Sequence, residues 1–213
     1  MAAYGGLLCA GCEADTFGAR QKRSLCLKCG ADVLSLESCV CAQPNELDAV
    51  VCAIDYQFTG QLLIQMYKEG KQLALASLLG DMMVRAAQPV VDRFQPDAWV
   101  PIPASKARLL RTGYSPAQQL ARAVAKATST PSRLDWLRLI RDGVPQKTLN
   151  RFERARSVRG QFGANRAVSG RCIGLIDDVV TTTSTAAEAA RTLKAAGASQ
   201  VFLLAAARTP WRA

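Results

Sequence analysis

The run from Cys172 to Ala206 restricts the fold more than any other part of the sequence. Cys172-Ile-Gly-Leu-Ile176 is a continuous apolar stretch of strand length, Ser184 to Ala196 reads as a helix closed by Gly197, and Gln200 to Ala206 is a second apolar strand. Strands that are apolar without alternation suit a parallel sheet covered on both faces, and strand, helix, strand is the crossover that such a sheet needs. Between the first strand and the helix stand Asp177, Asp178, Val179 and Val180, then five hydroxyl residues, Thr181, Thr182, Thr183, Ser184 and Thr185. In a parallel α/β sheet, ligands bind beyond the carboxyl ends of the strands, where the next helix offers free amides and the positive end of its dipole. Residues 181–185 are therefore expected to receive a phosphate, and the two acids to accept hydrogen bonds from ribose hydroxyls. A helix cap needs one such hydroxyl; two adjacent acids and five hydroxyls exceed that need.

The same alternation extends upstream. Ala49 to Tyr56 reads as a strand, Gln61 to Tyr67 as a short amphipathic helix stopped near Gly70, and Leu73 to Phe94 as a helix interrupted late by Pro89. Ala98-Trp-Val-Pro-Ile-Pro103 is a strand entering a proline-fixed loop, and Ser115 to Lys126 is helical with Pro116 in its first turn. The stretch from Asp142 to Arg166 has no sustained periodicity and reads as a basic loop. The whole predicts an α/β fold whose parallel sheet is flanked by helices.

Six of the eight cysteines fall within the first 41 residues, as Cys9-Ala-Gly-Cys12, Cys26-Leu-Lys-Cys29 and Cys39-Val-Cys41. Two C-x-x-C knuckles can each offer two thiolates to one tetrahedral zinc ion, and with no histidine in the chain such a site must be built from cysteine. A disulfide framework and a redox pair are the competing readings. The first is disfavoured by an N-terminus without signal-peptide features, the second by two knuckles outside a strand-turn-helix context. Cys9, Cys12, Cys26 and Cys29 are the expected ligands; Cys39 and Cys41 have too short a spacer for the same knuckle, or replace one pair. Cys52 and Cys172 lie in apolar runs and read as small core residues. The expected division is a cysteine-rich zinc-ribbon-like module over 1–45, too poor in apolar sequence to fold without its metal, and a larger α/β domain over 46–213.

A length of 213 residues suits one main domain with a small appendage. No apolar run approaches a membrane span, and the expected location is the cytoplasm. The formal charge of +10 points to phosphate-bearing partners. Between Arg141 and Arg171 eight basic residues (Arg141, Lys147, Arg151, Arg154, Arg156, Arg159, Arg166, Arg171) face two acids, Asp142 and Glu153. Such a stretch is either a solvated face or a concentrated phosphate-binding surface.

The order of apolar strand, acid pair and hydroxyl loop resembles the phosphoribosyl pyrophosphate (PRPP) motif of type I phosphoribosyltransferases, with Thr183 where that family usually has glycine. Val100-Pro-Ile-Pro-Ala-Ser105, Arg111-Thr-Gly-Tyr-Ser-Pro-Ala117, Gln146-Lys-Thr-Leu149 with Arg154, Val158, Gly160 and Phe162, the segment ending Tyr67-Lys68-Glu-Gly70, and the cysteine knuckles are together similar to the competence protein F (ComF) family. The resemblance spans nearly the whole chain. It implies that Pro101, Ile102, Pro103, Ala104 and Ser105 contact pyrophosphate, that Asp177 and Asp178 with Val179 meet the ribose, and that Thr181 to Thr185 hold the 5-phosphate. Magnesium would bridge the diphosphate, and Arg154 with Arg151, Arg156 and Arg159 would close over the leaving pyrophosphate. It further implies a role in DNA uptake and natural transformation, with single-stranded DNA and competence-machinery proteins as partners. The alternative is an active phosphoribosyltransferase acting on a nitrogen nucleophile. No acceptor hood is legible; Tyr56, Phe58, Tyr67 and Tyr114 are its aromatic candidates, although such residues are more often core.

Overall fold

In a computed structural model covering residues 8–32, 46–69, 74–141 and 159–210, four parallel strands carry the molecule. They are β1 (Val50–Asp55), β2 (Ala98–Pro101), β5 (Cys172–Val180) and β6 (Gln200–Arg208), arranged in the order β1-β6-β5-β2. Ile54 pairs with Ala207, Leu175 with Leu203 and Val100 with Leu175. Because every pairing is parallel, all four strands deliver their carboxyl ends to one edge. The expected α/β fold is present.

Helices cover both faces, which is why the strands could be apolar throughout. On one face α3 (Phe58–Lys68), α4 (Ala74–Phe94) and α6 (Pro116–Thr128) bury Ile64, Leu79, Met82 and Leu120 against Trp99, Phe202 and Leu204. On the other, Ala189, Ala190 and Leu193 of α7 (Ser184–Ala195) pack on Val100, Leu175 and Leu203. Full burial of a side chain of Leu or Phe size contributes roughly 1.5–3 kcal/mol, so these two layers dominate stability. Gly174 makes the first layer possible: a Cβ there would stand 2.2 Å from the Trp99 ring.

Several boundaries differ from the sequence reading. Pro89 does not interrupt α4, which continues to Phe94; the proline is exposed and removes one amide bond on the solvent side. Strand β5 runs through the acid pair to Val180 rather than ending at Ile176, and a short helix α5 (Lys106–Thr112), capped by the Ser105 hydroxyl, fills what read as loop. The end of the basic stretch is not irregular: β4 (Phe162–Ala164) pairs antiparallel with β3 (Leu137–Leu139). Residues 142–158 lie outside the described residues.

The described part of the cysteine segment folds as one winding helical stretch, α1 (Ala10–Glu13), a π turn (Ala14–Gly18) and α2 (Ala19–Gln21), followed by a turn closed by a bridge between Leu25 and Asp32. It packs on the outer strand β1. Leu8 and Phe17 join the core on the α4 side, and Leu27 O accepts the Val50 amide at 2.7 Å. Arg20, 1% exposed, donates to Cys52 O, Gly30 O and Asp55 Oδ1. No helix among the described residues is long and apolar enough to cross a membrane.

Candidate functional site

A cavity of about 580 Å³ opens at the carboxyl edge of the sheet. Its floor is the end of β5 with Asp177 to Val180, and one wall is the turn Thr181 to Thr183 with the first residues of α7. Facing these are Ile102 to Ser105 after β2, Arg108 of α5, Ser115 to Ala117 at the start of α6, and Lys68 at the end of α3. Leu139, Gln161 and Phe162 of the β3–β4 hairpin, with Tyr56 and Thr209, complete the lining. The structure thus gathers every expected phosphate and ribose residue except Pro101, which lies buried at the end of β2. Arg151, Arg154 and Arg156 lie outside the described residues, and Arg159 is exposed.

The hydroxyls of the turn are not spent on capping. Thr183 occupies the N-cap position of α7 without a side-chain cap bond; its hydroxyl donates to Thr182 O at 2.6 Å, and the Thr182 and Ser184 hydroxyls stand 3.0 Å apart. The turn therefore offers hydroxyls and free amides to the cavity, which is what an oxyanion needs. Thr183 has φ of +58°, the left-handed region that glycine enters without steric cost. That explains why glycine suits this position in the family the sequence resembles.

The two acids differ in environment. Asp178 is buried, and its Oδ2 receives Lys68 Nζ and Arg108 NH2, each at 2.8 Å, while Oδ1 accepts the Val179 amide at 2.7 Å. Burial opposes its ionisation, but Lys68 and then Arg108 outweigh burial and hold the carboxyl below its usual range. Asp177 Oδ1 accepts the Asp178 amide at 2.8 Å. Its burial, and then the charge of Asp178, push it up to about 8. The pair therefore titrates as a unit in which Asp178 ionises first.

No family model matches the sequence. Among curated proteins it is similar to the DNA utilization protein YhgH of Escherichia coli, 28% identical over 208 residues that span 95% of this chain and 90% of the relative. It is also similar to competence protein F of Haemophilus influenzae, 24% identical over 213 residues that span 94% of this chain and 90% of the relative. This similarity, which runs over nearly the whole chain, agrees with the competence protein F resemblance of the motifs. Solved structures similar to it include the allosteric regulatory enzyme of purine biosynthesis, at 22% identity and TM-score 0.41, covering 62% of this chain and 25% of that chain. Another is a hypoxanthine phosphoribosyltransferase from Trypanosoma cruzi, at 13% identity and TM-score 0.40, covering 62% of this chain and 73% of that chain.

The site also contains residues that the sequence reading did not assign. Lys68 and Arg108 are the chief ones; they lie 110 and 70 positions from Asp178, and their only signal was Tyr67-Lys68-Glu-Gly70 within the resemblance. Of the aromatic acceptor candidates, Tyr56 lines the cavity and Phe58 is exposed. Tyr67 is fully buried and donates to Pro116 O at 2.7 Å, and Tyr114 donates to Tyr67 O at 2.5 Å and Lys68 O at 3.1 Å. Both tyrosines fix the end of α3 and so position Lys68. Glu188 of α7, also buried, accepts the Gly160 amide at 2.6 Å and pairs with Arg191, anchoring the chain that leads into Gln161 and Phe162.

The cysteine pairs stand in two turns. The Cys12 amide approaches Cys9 Sγ at 3.4 Å, and that contact holds the Cys9 thiol below its ordinary range. Gly30, at φ of +68°, closes the second turn by donating to Cys26 O at 2.7 Å. Among the described residues, no three Cys, Asp or Glu side chains form a group that could hold a metal ion. Cys39 and Cys41 lie outside the described residues, and Cys52 and Cys172 are buried in the core.

Proposed function

We propose that this chain binds PRPP, or a closely related phosphorylated ribose, in the cavity at the carboxyl edge of the sheet, and acts in DNA uptake with single-stranded DNA as a partner. The observation that carries the ligand reading is the joining, in one cavity, of an ionisable acid pair to a hydroxyl-rich turn whose side chains do not cap the helix they precede. The turn of Thr181 to Thr185 takes the 5-phosphate, the acid pair faces the ribose hydroxyls, and Ile102 to Ser105 face the diphosphate. The names of the relatives, DNA utilization protein and competence protein, support the DNA role, and other competence proteins are the proposed protein partners. An apolar wall of Ile102, Leu139 and Phe162 beside the acid pair favours a second reading, transfer of the ribose phosphate to a planar nitrogen nucleophile.

Magnesium fits as a companion of the ligand, since it favours one or two carboxylates together with ligand phosphates, and Asp177 supplies a carboxylate at the cavity floor. When bound it neutralises diphosphate charge. Cys9, Cys12, Cys26 and Cys29 are the proposed zinc ligands on the donor chemistry of two thiol pairs, the first with an amide directed at sulfur, although the two pairs do not stand as one four-sulfur group in this structure.

The test is thermal. PRPP with magnesium raises the melting temperature of the full chain, and the doubly substituted Asp177→Asn, Asp178→Asn protein shows a smaller shift; a shift of equal size in that protein refutes the site. Repeating the melts with a single-stranded oligonucleotide separates the DNA partner from the nucleotide one.

A further inference from the structure

The two acids of the site are engaged in different ways. Both cations that line the cavity, Lys68 and Arg108, converge on a single oxygen, Asp178 Oδ2, and the other Asp178 oxygen takes a main-chain amide. Asp178 is therefore occupied within the protein, whereas Asp177 accepts only the adjacent amide among the described contacts. Lys68 and Arg108 arrive from different helices, and each is held in place independently. The end of α3 is locked through Tyr67 to Pro116 O and through Tyr114 to Lys68 O, while α5 starts with the Ser105 hydroxyl accepting the Arg108 amide. Both side chains remain partly open to the cavity, at 24% and 38% exposed, while Asp178 beneath them is 6% exposed. Two fixed cations over one buried counterion form a cradle for a second anion, because a multiply charged group arriving from the cavity competes with Asp178 for the same N–H donors.

Resting on the ribose phosphate reading above, we propose that Lys68 and Arg108 form a clamp selecting ligands with a diphosphate in addition to the 5-phosphate, with Asp178 as the clamp's counterion and Asp177 as the acid that meets the ribose. This divides a pair that the sequence resemblance treats as one unit. It also assigns the sign of each substitution. Removing a clamp cation weakens a diphosphate and leaves a monophosphate nearly unaffected. Removing the charge of Asp178 releases both cations, so a bare diphosphate binds more tightly.

The experiment is calorimetric titration of the full chain, in magnesium-free buffer, with inorganic pyrophosphate and separately with ribose 5-phosphate, for the unaltered protein and for Lys68→Met, Arg108→Met, Asp177→Asn and Asp178→Asn. Loss of one charge-assisted contact is expected to weaken pyrophosphate about tenfold in each cation variant and ribose 5-phosphate less than about twofold. Asp178→Asn tightens pyrophosphate, and Asp177→Asn weakens ribose 5-phosphate only. Equal losses for both ligands in the cation variants, weaker pyrophosphate binding in Asp178→Asn, or no pyrophosphate binding by the unaltered protein overturns the clamp. If ribose 5-phosphate fails to bind while the pyrophosphate pattern holds, the clamp stands and the ribose reading falls. The converse result leaves the ribose reading and removes the clamp.

Discussion

Thr183 shows how one residue can carry both a cost and a clue. A non-glycine residue in the left-handed region costs about 1–2 kcal/mol, and glycine recovers it less about 0.5–1 kcal/mol of backbone entropy. Thr183→Gly is therefore expected to raise the melting temperature by about 2 °C, and to admit a phosphate closer to the turn; thermal melts with and without ribose 5-phosphate check both. Asp177 makes a pH prediction. Its pKa is raised in the folded chain by burial and by Asp178, so its stabilising contribution is complete below the ordinary carboxylate range and is lost as pH rises through about 8. Asp177→Asn removes that loss and should stabilise the chain more at pH 9 than at pH 5; melts that show equal gains at both values contradict the assignment. The acids and hydroxyls were legible in the sequence because they are contiguous and their order is specific. Lys68 and Arg108 were not, since nothing local marks a lysine at the end of one helix and an arginine on another as partners of one distant oxygen.

At the scale of elements, legibility followed length and burial. The strands β5 and β6 and the helix α7 were readable because long apolar runs leave few alternatives. The hairpin β3–β4 was not, because strands of three residues carry no periodicity, and α5 was missed because its seven residues follow two prolines. Pro89 misled for a physical reason: the reading assumed a lost hydrogen bond would end the helix, but on an exposed face water satisfies the freed carbonyl and packing of Leu78, Met82 and Val90 holds the rest. The cysteine segment is joined to β1 by Arg20, whose two buried bonds reach Gly30 O and Cys52 O and whose third, partly buried, reaches Asp55. Arg20→Met leaves two buried carbonyls and the Asp55 carboxylate without that partner, and removal of one member of a buried charged network costs about 3–5 kcal/mol. Urea unfolding should show a loss of that size. A loss below about 1 kcal/mol would mean that the segment is only loosely tied to the sheet.

Over the whole molecule, the excess of positive charge has an address. Among the described residues, Arg141 and Arg159 flank the β3–β4 hairpin and Arg166 follows it, all three exposed, and the Arg141 amide reaches Gln161 O beside the cavity. Of these, Arg141 and Arg159 adjoin Leu139, Gln161 and Phe162, which line the cavity, and so stand at its rim. A single strand lying along this rim would release counterions in proportion to the phosphates neutralised, and the logarithm of its affinity falls with that of salt with a slope of about −0.7 per phosphate. If the proposed DNA partner uses the rim, replacing Arg141 and Arg159 together by glutamine should make the slope shallower by about 1.4, twice 0.7. Fluorescence anisotropy with a labelled oligonucleotide between 50 and 300 mM salt measures it. Lys68→Met is expected to leave this slope unchanged, since the clamp faces inward, while it weakens pyrophosphate. A slope altered by Lys68→Met and not by the arginine substitutions would move the nucleic acid from the rim into the cavity, where it would compete directly with phosphorylated ribose.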